Sequence, residues 1–140
     1  MAVTRTASVV WEGGLLDGSG TVVSSGSGAL PELPVTWASR TEDSNGKTSP
    51  EELIAAAHAA CFSMGLAFGL ANAGTPPARL ETSATVGFRP GEGITGIVLH
   101  VTGDVPGLDA DGFLAAAEEA KTNCPVSQAL KAVPISLELG

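Results

Sequence analysis

TSPEELIAAAHAACFSMGLAF, residues 48–68, decides the fold of this chain. Ser49-Pro50-Glu51-Glu52 predicts a helix start, with Ser49 in the capping slot, Pro50 at the first helical position and Glu52 three residues after the cap. The apolar run then extends from Leu53 to Ala71, and Gly74 with Pro76 stops it. Residues 53–71 contain no Asp, Glu, Lys or Arg, so by length alone they could cross a membrane. The run is dominated by Ala, however, is interrupted by His58, Ser63, Gly65 and Gly69, and has no basic residues at its ends. The expectation is a core helix buried on all sides. Ala57, Cys61, Gly65 and Gly69 recur every four residues, a stripe of small side chains along which another backbone could approach closely.

Strands are predicted on both sides of this helix. Residues 3–11 (VTRTASVVW) have β character, and LLDGSGTVVSSG (15–26) reads as a hairpin with Asp17-Gly18 at its turn. A third strand is expected through 34–38, followed by a polar loop over 39–48. Beyond the helix, ETSATVGF (81–88) and ITGIVLHVTGDV (94–105) alternate like paired antiparallel strands. A second helix is predicted over 111–122, a short third one starting at Cys124-Pro125, and a last strand over 133–139. Strands with segregated helices indicate an α+β class, and 140 residues suit one domain spanning 1–140.

Composition narrows the function. With 15 acidic against 7 basic residues the net charge is −8, which argues against nucleic acid and anionic membrane surfaces as partners. Hydrophobic residues make up 44%, but aromatics only 4%, so a core rich in Ala gains from a partner chain that shares it. The N-terminus, MAVTRTASVVWEGG, lacks a charged segment followed by an apolar run, which makes the cytoplasm the expected location. Two cysteines in such a chain suit catalysis, redox sensing or metal binding better than a structural disulfide.

Cys61, taken alone, fits a small core residue in mid-helix. Cys124 precedes Pro125 in the N-cap slot of the short helix, where free N–H groups would stabilise a thiolate, so local reasoning makes Cys124 the more acidic thiol. His58 lies three residues before Cys61 on the same face. His58, Cys61 and Cys124, with His100 as a fourth, could hold a structural metal, but no C-x-x-C supports this. Arg40 reads as a loop charge and Glu51 as a partner of the helix dipole. Glu51 and Cys61 are 10 positions apart (61 − 51). That separation is roughly 15 Å along a straight helix, with side chains pointing about 80° apart. One helix therefore cannot bring its own Glu51 to its own Cys61.

Together these residues resemble the OsmC/Ohr family of thiol-dependent peroxidases, most closely its OsmC branch. The resemblance is carried by TSPEELIAAAHAACFSMGLAF (48–68) and KTNCPVSQAL (121–130), and extends to WEG (11–13), VTWASRTE (35–42) and VPGLD (105–109). It implies an α+β OsmC-like fold, with antiparallel sheets around a long buried central helix, in an intertwined homodimer. It further implies reduction of organic hydroperoxides, and conceivably hydrogen peroxide, in oxidative or osmotic stress. By resemblance, Cys61 is the peroxidatic residue, Cys124 resolves it as a Cys61–Cys124 disulfide, Arg40 activates, and Glu51 holds Arg40. No cofactor is implied beyond an external dithiol reductant, of lipoyl type in the Ohr branch. The alternatives are a non-catalytic stress or ligand-binding domain of the same fold, and the metal site at His58, Cys61 and Cys124.

Overall fold

The computed structural model describes residues 2–140, which divide into two compact units, one ending at Pro50 and one spanning Glu51–Gly140. In the first unit, β1 (Ala7–Glu12), β2 (Ser19–Ser25) and β3 (Leu33–Val35) form an antiparallel sheet in that order. Asp17 makes the turn: its carboxylate accepts from the Gly14 N–H, and Gly18 N–H donates to Gly14 O. The turn joins β1 to β2, so Leu15 and Leu16 lie in it and not in a strand. The strand expected through 34–38 ends at Val35. A capping box takes over, in which the Thr36 hydroxyl accepts from Ser39 N–H while Thr36 N–H donates to Ser39 Oγ. This starts α1 (Trp37–Thr41), and Arg40 is therefore helical where a loop was expected. β1 is exposed along its whole length, including Val9, Val10 and Trp11.

The second unit is built on α2 (Pro50–Asn72), which carries Glu51 and Glu52 in its first turn as the dipole favours. Gly74, at φ 90°, ends it with backbone N–H groups of Gly74 and Thr75 donating to Ala71 and Leu70 carbonyls. Against α2 lies a sheet in which β4 (Arg79–Arg89) pairs antiparallel with β5 (Gly93–Asp104). β6 (Ile135–Leu139) then pairs with β5 in parallel, which corrects the all-antiparallel expectation. The reason lies in the connection: α3 (Ala110–Asn123) and α4 (Pro125–Ala129) form a helical crossover that returns the chain in the same direction.

Periodicity builds the core. Ile97, Leu99 and Val101 alternate on one face of β5, and Phe62, Leu66 and Leu70 recur every fourth residue on α2. Ala117 and Ala120 of α3 complete the cluster. The helix is long and apolar enough to cross a membrane by length and composition alone. Yet the burial expected on all sides is found on one face only. Met64 and Phe68 on the opposite side are 74% and 72% exposed. Within the second unit one sheet is set against one side of α2, and the small-residue stripe has nothing from that unit against it at Gly65 and Gly69.

Candidate active site

The fold brings the two cysteines together from 63 positions apart (124 − 61). Both are free thiols, Cys61 half-buried on α2 and Cys124 buried as the N-cap residue of α4. They lie near enough that each shifts the other's ionisation. Pro125 at the first helical position fixes where α4 begins, which turns the N–H groups of Val126 and Ser127 toward the sulfur atoms.

The electrostatics of the pair are uneven. Burial and the neighbouring Cys124 push the Cys61 thiol above its ordinary value, and the Val126 N–H opposes them without winning. Burial also works against the Cys124 thiolate. There, contact with Cys61, the Ser127 N–H and hydroxyl, and the Val126 N–H together prevail, and the Cys124 thiol is held below its ordinary value. Within this unit Cys124 is the more acidic thiol, as the N-cap reading expected.

His58 is fully buried, with Nε2 2.7 Å from Ser127 Oγ. Burial lowers its pKa and keeps the ring neutral. His100 stands away from the thiols in β5, opposite Ser83 and Glu138. Among the described residues no three His, Cys, Asp or Glu side chains are grouped to hold a metal ion, which counts against the structural-metal alternative. Glu51 is buried in the first turn of α2, and Arg40 on α1 sits over the Trp37 ring at 6.0 Å from its centroid. Ser127 is the site residue that sequence reasoning passed over. Its signal was the spacing C-x-x-S from an N-cap to the third helical position.

Beside Cys124 a groove of about 570 Å³ opens between α2 and α3, lined by Gly65, Phe68, Leu108, Ala116 and Ala120 among others. Its walls are largely apolar.

Two neighbouring thiols of unequal acidity, set in a small α+β unit, define a protein of the thiol-redox class. The chain belongs to the OsmC family: the family model described as OsmC-like protein matches residues 42–138. It is 44% identical over 135 residues to peroxiredoxin OsmC of Escherichia coli (strain K12), covering 94% of this chain and 93% of that one. Among solved structures it is similar to the organic hydroperoxide resistance protein OhrB of Bacillus subtilis, with 26% identity, TM-score 0.62, and coverage of 96% and 98%. An organic hydroperoxide resistance protein OsmC from Legionella pneumophila shares the fold, with TM-score 0.74 at 24% identity over 100% and 99% of the two chains.

Proposed function

We propose that this protein is a thiol-dependent peroxidase that reduces organic hydroperoxides to alcohols. The observation that carries the reading is a pair of neighbouring free thiols, one half-buried and one buried, each of which shifts the other's ionisation. The Cys61 thiolate attacks the terminal peroxide oxygen, the O–O bond breaks, and the alkoxide takes up a proton and departs as alcohol. Cys61 is left as a sulfenic acid, which Cys124 converts to a disulfide with loss of water. An external dithiol restores both thiols by exchange in the reducing cytoplasm. No metal, haem or flavin takes part. Peroxiredoxin and hydroperoxide-resistance relatives support the same reading.

Arg40 supplies the cation that Cys61 lacks among its neighbours in the second unit, and Glu51 steadies the guanidinium. The active form is a homodimer, supported by the exposed Met64, Phe68 and β1 faces and by the open stripe at Gly65 and Gly69. Helix geometry then requires that a Glu51 serving a given Cys61 come from the other protomer. Light scattering at micromolar concentration should give a dimer, and Phe68→Glu should shift it toward monomer with loss of activity. A fully active monomer would contradict this.

The experiment that tests the activity is consumption of cumene hydroperoxide with dithiothreitol as reductant, compared with the same protein lacking Cys61.

A further inference from the structure

His58 is 0% exposed, and buried polar groups of this kind are almost always hydrogen-bonded. Only half of this one is: Nε2 meets Ser127 Oγ at 2.7 Å, whereas Nδ1 has no hydrogen-bond partner among the described residues. A buried N–H without an acceptor is rarer and more costly than an unused lone pair. The proton therefore belongs on Nε2, which donates to Ser127 Oγ and leaves the Ser127 O–H to donate elsewhere. Ser127 is the third residue of α4 and Cys124 is its N-cap, so about one helical turn places the hydroxyl on the side of the cap. The Ser127 N–H and hydroxyl both favour the Cys124 thiolate.

We propose that His58 is a positioning residue for Cys124: its Nε2–H fixes the Ser127 hydroxyl so that the O–H points at the Cys124 sulfur and stabilises the thiolate. The ring works as a dipole and not as a charge, because it stays neutral. The titratable group beside Cys124 is Cys61 from α2; His58 of the same helix meets Ser127, and Glu119 of α3 lies on the wall of the groove that Cys124 lines.

This role rests on the peroxidase reading and serves two of its steps. In resolution, the Cys124 thiolate attacks the sulfenic sulfur of Cys61. The S–S bond forms, the S–O bond breaks, and the leaving hydroxide combines with the proton that Cys124 released, giving water. In reduction, a thiolate of the external dithiol attacks the Cys61 sulfur, the more exposed of the pair. The disulfide breaks and Cys124 leaves as thiolate, again facing the Ser127 O–H; a lower thiol pKa makes a faster leaving group. The second thiol of the dithiol then displaces Cys61, and the reductant departs as a disulfide.

The test follows Cys124 alkylation by iodoacetamide against pH in a Cys61→Ser background. Ser127→Ala and His58→Leu are each expected to raise the midpoint by about one pH unit, the size of a lost hydrogen bond to a charged group. His58→Gln, which keeps an N–H donor, and Ser127→Thr, which keeps a hydroxyl, should return most of that shift. A purely structural role would not separate Gln from Leu or Thr from Ala. With Cys61 present, Ser127→Ala should lengthen the lifetime of the Cys61 sulfenic acid about tenfold, read by adding dimedone at timed delays after the peroxide. Profiles of Ser127→Ala and Ser127→Thr that superimpose on the parent would overturn the relay, even in a protein that reduces hydroperoxide. Alkylation needs no turnover, so the predicted shifts in a protein inert to hydroperoxide would uphold the relay and overturn the peroxidase reading instead.

Discussion

Cys61→Ser is expected to bring hydroperoxide consumption down to the uncatalysed background, a loss of at least about a thousandfold. A serine hydroxyl stays protonated at neutral pH and its oxygen cannot become a sulfenic acid, so the O–O bond has no nucleophile to accept. Cys124→Ser should behave differently. It keeps the first turnover, because Cys61 is still present, and then loses activity under repeated exposure as the unresolved sulfenic acid goes on to sulfinic acid. The pair of variants is the informative comparison, because Cys124 is the more acidic thiol within its unit. Acidity alone would name it the nucleophile. Position argues the other way: Cys124 is 2% exposed, while Cys61 is half-buried and the one a substrate can reach. A dead Cys124→Ser beside an active Cys61→Ser would reverse the two roles.

Arg40→Ala is expected to slow peroxide reduction by at least about a hundredfold while leaving the fold intact. Cys61 sits in mid-helix and gains nothing from a helix N-terminus. Burial and Cys124 both raise its pKa, and a Val126 N–H is a weak counterweight. A thiol so placed is mostly protonated at neutral pH and reacts slowly. The proposal assigns the correction to a guanidinium, which stays charged and can donate to both the thiolate and the peroxide oxygen. His58 cannot take that part, since burial keeps it neutral and Nε2 is committed to Ser127. The measurement is the pH profile of iodoacetamide modification of Cys61 in a Cys124→Ser background, with and without Arg40. Loss of Arg40 should move the midpoint upward; unchanged profiles would mean that another group activates Cys61.

The parts of this molecule that local chemistry determines were legible in the sequence. Ser49-Pro50-Glu51-Glu52 and an uncharged run specify α2, and period-two alternation specifies β4 and β5. Cys124-Pro125 specifies both the start of α4 and the acidity of its N-cap thiol. What escaped depended on partners distant in sequence. The parallel pairing of β6 follows from the crossover through α3 and α4, and no property of residues 135–139 announces it. Residues 53–71 look uniformly apolar, so their composition could not say that one face packs on the sheet and the other waits for a second surface. His58 and Ser127 are 69 positions apart, and nothing in the sequence links them until α4 docks on the turn of α2 that carries His58. The α1 capping box was local and readable, Thr36 and Ser39 three apart, but Pro34 and the β character around it drew the strand three residues too far (38 − 35).

The most direct test of the account is a thiol count after one equivalent of cumene hydroperoxide has been added to the fully reduced native protein. Both thiols should vanish together, the intact mass should fall by two hydrogens, and peptide mapping should find Cys61 bonded to Cys124 within one chain. Two thiols still titratable after that treatment, or a disulfide that links one protomer to another, would contradict it.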